Sequence, residues 1–185
     1  MSRWSPRRIY VLPIGVDIQT MAAFIVNSLL VSHGIRPDAA AFLRLRRGWL
    51  WVPGSGIRHL RPDADSSEGW VRAVLRGRSL GARIVGDPAE LQILPEGALC
   101  IETVADVGAT LCRGSLAGAR HVVVTYVWAS KSWGEPPLPI ECLERCQLKL
   151  ATPLALSPAV VNIILDRVEA GLDHLLPTAP RVGVA

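Results

Sequence analysis

The sequence lacks several common patterns, and each absence excludes a class of protein. No apolar run is long enough to cross a membrane, because the best candidate, residues 9–32, is interrupted by Asp17, Gln19 and Asn27. The basic N-terminus leads into Pro13 without a small-residue cleavage site, so we expect no secretory leader and a cytoplasmic protein without a membrane partner. The motifs GxGxxG, GxxxxGK[ST] and GxSxG are missing, which excludes the common phosphate-binding loops and the nucleophile elbow.

Cysteine is scarce, and the four cysteines do not have metal-binding spacing. Cys142 and Cys146 are four residues apart, which would place both on one face of a helix. Cys100 and Cys112 stand apart from them, and no CxxC or HxxxH pair supplies the remaining ligands of a zinc site. We therefore expect no metal and four reduced thiols, as is usual in the cytoplasm.

Lysine is nearly absent, although the chain is basic, with a net charge of +4. Only Lys131 and Lys149 are lysines, so 18 of the 20 basic residues are arginines. Arginine binds phosphate in a bidentate fork and stacks on bases, which favours an anionic partner such as RNA. A GC-rich genome that encodes arginine in place of lysine would explain the same composition.

Half of the 185 residues are hydrophobic and 19% are charged, so we expect one domain over residues 1–185, with a loose tail at 177–185. Strand-like and helix-like segments alternate, which predicts an α/β fold with a mostly parallel sheet and helices on both faces. Strands are predicted at residues 8–14, 40–47, 49–54, 56–60, 81–86, 98–105, 121–127 and 148–152. Helices are predicted at residues 17–33, 63–78, 87–94, 139–146 and 157–176.

Capping residues set the helix boundaries, and the strand ends indicate where a ligand would bind. Asp17 is the expected N-cap of the first helix and Gly34 its C-terminal stop. Ser157 and Pro158 are the expected N-cap and first residue of the last helix. Ligands of parallel sheets bind beyond the carboxyl ends of the strands. Three loops follow such ends, at residues 105–110, 128–135 and 152–157.

Three stretches of the chain are similar to one known family. They are "VNSLLVSHGIRPD" (26–38), "IRHLRPDADSSEGWVRAVLRG" (57–77) and "LKLATPLALSPAVVNIILDRV" (148–168). In sequence and order they resemble the archaeal tRNA pseudouridine N1-methyltransferases, which belong to the SPOUT class of knotted methyltransferases. The similarity in element order extends over about residues 8–173, nearly the whole chain.

The resemblance implies a fold, an assembly and a cofactor. The fold would be SPOUT-like, with a C-terminal trefoil knot, and the assembly a homodimer with the last and first helices near the interface. The cofactor would be S-adenosyl-L-methionine, bound by three loops of the knot largely through backbone groups. By position, the implied cofactor contacts are Val104, Asp106, Val127, Trp128, Leu150, Thr152, Leu154 and Leu156.

The substrate that the resemblance implies is RNA, specifically tRNA, and no DNA partner is expected. Methylation of pseudouridine at N1 removes an imide-like proton, so Asp38 is the candidate proton acceptor, with Arg36 on a phosphate or a base edge. The candidate RNA contacts are His33, Arg36, Arg44 and Arg46. Alternatively, Arg36 and Asp38 form a surface ion pair and His33 caps the helix end.

Two segments depart from the family pattern and support a second hypothesis. "TYVWASKSWGE" (125–135) stands where the family has a "GDHIG"-like loop, and "LSPAVVNII" (156–164) lacks the acid, histidine and cysteine of its "LHADHCIT"-like helix start. The alternative function is therefore a SPOUT-like RNA-binding protein that has lost methyl transfer. A structural dimer within a larger assembly is a third hypothesis, and it has no positive signal in the sequence.

Overall fold

The computed structural model describes residues 6–13, 15–31, 34–91, 98–104, 119–127, 142–149 and 152–171. The strands are β1 (Arg8–Leu12), β2 (Leu30–Val31), β3 (Gly34–Ile35), β4 (Ala39–Arg44), β5 (Trp49–Pro53), β6 (Arg83–Val85), β7 (Ala98–Val104), β8 (Val122–Val127) and β9 (Cys142–Lys149). The helices are α1 (Ile18–Leu29), α2 (Ala64–Leu75), a 3-10 helix (Pro88–Leu91) and α3 (Ser157–Glu169). The predicted tail at 177–185 lies outside the described residues.

Seven of the described strands form one sheet in the order β6-β5-β4-β1-β8-β7-β9. The pairs β4-β1, β1-β8, β8-β7 and β7-β9 are parallel, whereas β5 runs antiparallel to both of its neighbours. Every residue of the central strand β1 is buried, which explains its near-continuous apolar sequence. The predicted α/β fold with a mostly parallel sheet is therefore confirmed.

One face of the sheet carries the main core, because successive side chains of a strand point to opposite sides. Tyr10 and Leu12 of β1 lie on this face, and Phe24 of α1, Trp70 of α2 and Leu165 of α3 pack against them in one cluster. Burial of a side chain such as Phe24 contributes about 2 kcal/mol to stability. All three described α-helices thus cover the same face.

The opposite face carries a smaller core that includes Ile9, Phe42 and Trp51. Leu91 of the 3-10 helix packs against it, so helical elements contact both faces, as predicted. The predicted knot involves residues 105–118, 128–141 and 150–151. These residues lie outside the described ranges, so the knot stays a prediction.

The first helix begins where the sequence predicts and ends four residues earlier. The Asp17 side chain accepts a hydrogen bond from the Thr20 N–H at 2.8 Å, which confirms Asp17 as the N-cap. The predicted end at residue 33 is wrong, because the chain leaves the helix after Leu29 and forms the short β2-β3 ladder. In this ladder the backbone N–H of Arg36 donates to the Leu29 carbonyl at 2.7 Å, a bond that a continued helix would not allow.

Three other local predictions are wrong because tertiary contacts override local sequence preference. Residues 56–60 form a turn, and Arg58 donates its N–H to the Leu80 carbonyl at 3.1 Å instead of joining a strand ladder. Residues 142–149 form a strand along β7 and not a helix followed by a strand, so Cys142 and Cys146 do not share a helix face. Helix α3 has Leu156 as its N-cap, one residue before the predicted Ser157.

The cysteine prediction is wrong for two of the four residues. Cys100 of β7 and Cys142 of β9 form a disulfide, with their Cα atoms 5.6 Å apart. That spacing lies in the range of native disulfides and follows from the pairing of two neighbouring strands. The two cysteines are separated by 42 positions in the sequence, so only the strand order places them together. Cys112 and the side chain of Cys146 lie outside the described residues.

Candidate functional site

The parallel strands end along one edge of the sheet, named here the carboxyl edge. The strand register aligns Val104 of β7 with Val127 of β8 on one side and with Lys149 of β9 on the other. Neighbouring strands are about 4.8 Å apart, so three chain segments leave the sheet side by side at this point. These segments begin the three loops that the sequence selects as ligand-binding loops, and sites of α/β sheets form at such edges.

The segment between β9 and α3 is held in place by helix α1. The Asn27 side chain donates to the Ala155 carbonyl at 2.8 Å, and the Ser157 hydroxyl donates to the Leu154 carbonyl at 2.7 Å. Leu154 packs partly into the core, whereas Leu156 is half exposed. This segment therefore presents a defined backbone and some accessible apolar surface.

Five of the eight predicted cofactor contacts lie within the described residues, and three do not. Val104 and Val127 are the last residues of their strands, and Thr152, Leu154 and Leu156 lie in the segment before α3. Asp106, Trp128 and Leu150 lie outside the described residues. No contact with a cofactor is tested, so these assignments stay predictions.

Positive charge lies at the same edge, in the turn between β4 and β5. Arg44 ends β4, and its guanidinium lies 5.0 Å from the ring centroid of Trp49, a cation–π contact. The Trp49 ring stacks in turn on Phe42, with the ring centroids 4.7 Å apart. Arg44 and its neighbour Arg46 are exposed, and neither forms an ion pair with any described residue. A phosphate could reach both of these predicted RNA contacts.

Gly48 makes this arginine-bearing turn possible. Its φ of +79° is a left-handed conformation that glycine adopts without strain. A Cβ atom at this position would lie 2.5 Å from the Val85 carbonyl oxygen, well inside van der Waals contact. The turn is therefore closely packed against the end of β6.

The opposite edge of the sheet, the amino edge, carries a charge network that joins the starts of β1 and β4 to α3. Arg8 is 1% exposed, and it donates to Asn162 at 2.9 Å and to Asp166 at 2.7 Å. Arg8 also pairs with Glu169 at 2.9 Å. The network consists of Arg7, Arg8, Tyr10, Arg36, Asn162, Asp166 and Glu169.

Arg36 is a member of this amino-edge network and not of an exposed pair with Asp38. Its two terminal nitrogens donate to the two Asp166 carboxylate oxygens at 3.1 and 2.5 Å, a bidentate pair. The ion pairs of the described chain do not include one between Arg36 and Asp38, so the surface-pair alternative is wrong. Asp38 is exposed, and its carbonyl accepts the backbone N–H groups of Arg7 and Arg8 at 2.7 and 3.2 Å.

Electrostatics keep the network in one protonation state. Partial burial acts to raise the pKa of Asp166, but hydrogen bonds from Arg36 and Arg8 outweigh burial, so this pKa is lowered and the carboxylate stays charged. Burial raises the pKa of Tyr10, whose neutral hydroxyl donates to the Asn162 side chain. Asn162 completes its bonding by donating to the carbonyls of Asn27 and Ser28 at 3.0 and 3.2 Å.

Two of the predicted cofactor residues, Val104 and Val127, lie at the opposite edge of the sheet from the predicted catalytic residues. Arg36 and Asp38 precede β4, whereas Val104 and Val127 follow β7 and β8. Five residues of strand separate the two edges, about 17 Å in length. The catalytic roles of Arg36 and Asp38 stay predictions, and His33 lies outside the described residues.

The sequence reading missed Arg8, Asn162 and Asp166, which organise the amino edge. One signal was present: Asn162 interrupts an apolar run of α3 between the buried residues Val161 and Leu165. A polar residue in a buried stripe requires hydrogen-bond partners. Those partners are distant in sequence, so the signal identifies the residue without identifying its contacts.

The strand order defines a class of protein, the α/β proteins with a mostly parallel sheet, in which ligands bind beyond the carboxyl ends of the strands. One solved structure of similar fold is Archaeoglobus fulgidus Nep1 bound to S-adenosylhomocysteine, with a TM-score of 0.51 and 15% sequence identity. The similarity covers 83% of this chain and 71% of that chain. No protein-family model and no curated protein sequence matches. The likeness establishes a shared fold.

The described helices and side chains add two further observations. None of the described helices combines the length and apolar character needed to cross a membrane. Within the described ranges, no three histidine, cysteine, aspartate or glutamate side chains are close enough together to hold a metal ion.

Proposed function

We propose that this chain is an S-adenosyl-L-methionine-dependent RNA methyltransferase. The observation that carries the proposal is the alignment of the ends of β7, β8 and β9, in a fold shared with a protein that binds S-adenosylhomocysteine. Three adjacent loops at one sheet edge suit a nucleoside ligand, which needs both an apolar surface and backbone hydrogen bonds. The exposed arginines of the β4-β5 turn at the same edge support an RNA substrate.

The residues present fit the proposed cofactor. Leu154 and Leu156 offer apolar surface for an adenine ring, and the half-buried Thr152 offers a hydroxyl for a ribose. When bound, the cofactor supplies an electrophilic methyl group on a sulfonium. The chain would hold the acceptor in line with that methyl and exclude water, which is where most of the rate would come from.

We propose further that the chain methylates N1 of pseudouridine in tRNA. In this proposal Asp38 accepts the proton and Arg36 contacts the substrate. The amino-edge network supports a positioning role, because Asp166 holds the Arg36 guanidinium in one orientation. About 17 Å of sheet separates these residues from the ends of β7 and β8 of the same chain, and we propose that a second copy supplies them there. The proposed enzyme is therefore a homodimer in which each site uses both chains.

An exposed apolar face on α3 supports the dimer. Leu156 is 50% exposed and Ile163 is 54% exposed, and the two residues lie seven positions apart on one side of the helix. Val31, after the end of α1, is 40% exposed. Exposed apolar groups of this kind are typical of interfaces between copies of a chain.

Calorimetric titration with S-adenosylhomocysteine tests the cofactor site. We expect one binding site per chain, and we expect Thr152→Arg to weaken binding at least tenfold, because it places a bulky charge in the segment before α3. The matched control is Arg120→Gln, an exposed position before β8 at the amino edge, which should leave binding unchanged. A folded wild-type protein that does not bind the compound would contradict the enzyme proposal.

Mixing two inactive variants tests the shared site. Asp38→Asn removes the proposed proton acceptor, and Thr152→Arg blocks the proposed cofactor segment. If each site uses both chains, mixed dimers contain one intact site, so methyl transfer to tRNA should return to roughly a quarter of the wild-type rate. A mixture that stays inactive, although exchange of chains is demonstrated, would contradict the shared site.

RNA binding without methyl transfer is the second candidate function. It is supported by the unpaired arginines Arg44 and Arg46, because electrostatic RNA binding does not require a cofactor. This candidate predicts salt-dependent tRNA binding together with undetectable S-adenosylhomocysteine binding. The two titrations together therefore discriminate between the candidates.

A further inference from the structure

The outer strand β6 and the segments beside it carry exposed cationic side chains that the proposed site does not use. We name this surface the β6 strip, and its members are Arg47, Arg58, His59, Arg78 and Arg83. None of its arginines forms an ion pair with a described residue. The acids nearest in sequence to the strip accept backbone N–H groups, each at 2.9 Å: Asp63 from Ser66, Asp87 from Ala89 and Glu90 from Asp87.

Backbone contacts place the members of the strip along β6, from one sheet edge toward the other. Trp49 is paired with Val85, which places Arg47 near the end of β6, and Trp51 is paired with Arg83. At the start of β6 the Arg58 N–H donates to the Leu80 carbonyl at 3.1 Å. Five residues separate Leu80 from Val85, so the strip extends over on the order of 15 Å.

The backbone segments that carry Arg58 and Arg78 cross closely at Gly56 and Gly81. A Cβ atom on Gly81 would lie 1.9 Å from the Gly56 carbonyl oxygen, so only glycine allows this crossing. The Trp70 indole N–H donates to the Arg58 carbonyl at 2.9 Å, which fixes the same segment to α2. Both backbone groups of Arg58 are therefore used, while its side chain stays exposed.

His59 is the one described non-glycine residue with a positive φ, at +62°. A left-handed backbone is strained for a residue with a Cβ atom, and glycine is the usual choice where only a turn is needed. Ile57 and Leu60 on either side of it are buried, which anchors the turn and directs the exposed His59 side chain outward. Strain of this kind is often retained where the side chain contacts a ligand.

The chemistry of the strip matches a phosphate backbone better than a protein surface. Apolar side chains, which form the centre of a protein interface, are represented on β6 only by Ile84, 48% exposed. The tryptophans beneath the strip are buried, with Trp49 and Trp70 both 4% exposed, so they do not offer faces for stacked bases. Guanidinium groups spaced along an exposed strand edge can each bind one phosphate.

We propose that the β6 strip binds the phosphate backbone of RNA outside the reaction site, with His59 as a contact near one end. This inference rests on the proposed RNA substrate and extends it. The affinity for RNA would come largely from nucleotides distant from the methylated base. An isolated nucleoside or a very short oligonucleotide would therefore be a poor ligand.

The test compares two double variants that remove the same amount of charge, with unfractionated tRNA as the probe. Arg58→Gln with Arg83→Gln removes two strip charges, and Arg120→Gln with Arg72→Gln removes two exposed arginines elsewhere. Each lost phosphate contact lowers the slope of log affinity against log salt by about 0.7 to 0.9. We expect the slope of the strip variant to be smaller by about 1.6. Near physiological salt its affinity for tRNA should fall at least tenfold, whereas the affinity of the control should change less than twofold.

If the two double variants weaken tRNA binding equally, the proposal for the β6 strip is wrong, because the binding would then depend only on net charge. S-adenosylhomocysteine binding, measured in parallel, should be unchanged in both variants. If the strip variant binds tRNA as well as the control does, and the cofactor still binds, only the proposal for the β6 strip is contradicted. If the wild-type protein does not bind S-adenosylhomocysteine, the proposed enzyme function is contradicted. The tRNA measurement still tests the β6 strip independently.

His59→Gly separates contact from strain at the same position. Glycine tolerates the left-handed backbone, so the thermal midpoint should stay the same or rise. If His59 contacts RNA, the tRNA dissociation constant should rise about threefold in the same protein. An unchanged dissociation constant would show that His59 does not contact RNA.

Discussion

The two edges of the sheet use arginine in opposite ways. At the amino edge, Arg8 and Arg36 are held by the carboxylates of Asp166 and Glu169 and are largely buried. At the carboxyl edge, Arg44 and Arg46 are exposed and have no described ion-pair partner. A buried, fully bonded arginine holds elements together, whereas an exposed one is available to a ligand. Arginine content alone therefore says little about function until each guanidinium has been assigned to one of these environments.

If the amino side of the sheet maintains the fold, reducing the Cys100–Cys142 disulfide should have the largest effect on stability. The bond closes a loop of 42 residues, for which chain entropy gives a stabilisation of about 4 kcal/mol. Denaturant unfolding with and without a reducing agent measures the difference. The control is the double variant Cys100→Ala with Cys142→Ala, whose unfolding free energy should not respond to the reducing agent. An unchanged unfolding free energy after confirmed reduction would contradict this division of roles.

Asn162→Ala should have the next largest effect, because Asn162 is 4% exposed and joins α3 to β1 and α1. Its removal leaves the buried Arg8 with one hydrogen bond fewer and leaves two carbonyls unsatisfied. We expect a loss of about 3 kcal/mol in unfolding free energy. Gln19→Ala removes an amide from an exposed helical position in α1 and should cost less than about 0.5 kcal/mol. If the two variants lose similar amounts of unfolding free energy, Asn162 does not have an organising role.

Asp166→Asn should change how stability depends on pH. The folded pKa of Asp166 is lowered below its ordinary value of 3.8, so its contribution is present above that value and is lost as the pH falls through the folded pKa. We expect the variant to be less stable by about 1 kcal/mol at neutral pH, a modest figure because the side chain is 44% exposed. The difference should shrink below about pH 4. A difference that is constant down to pH 2 would contradict the charge network.

The smallest effect on stability should come from Arg46→Gln at the carboxyl edge. Its side chain is exposed and unpaired, so the unfolding free energy should change by less than about 0.5 kcal/mol. Binding of tRNA should instead weaken, with a salt slope smaller by about 0.9. Arg8→Gln should do the reverse and destabilise the fold, because it leaves Asp166 and Glu169 without a buried partner. If Arg46→Gln and Arg8→Gln changed stability and tRNA binding in the same way, the two edges would not differ in how they use arginine.

The sequence predicted strands and helices best where local chemistry decides them. The N-cap at Asp17 and the continuous apolar run of β8 could both be recognised from neighbouring residues alone. Prediction failed at residues 142–149, which form a strand because β7 offers an unpaired edge. It failed again at Arg58, whose backbone partner lies 22 residues away at Leu80. The ends of β7, β8 and β9 lie side by side at one edge, because parallel strands all end on the same side, and the grouping of the loops that follow them stays a prediction.

By itself the sequence determined most of the element types, the mostly parallel sheet and the excess of arginine, because these depend on local propensity, apolar period and composition. Only the tertiary structure decided which arginines are bound and which are free. Arg36 and Asp166 are 130 positions apart, and Arg8 and Asn162 are 154 apart. Contacts over such separations depend on which strands become neighbours and which helix crosses them, and the packing of the whole sheet sets that choice.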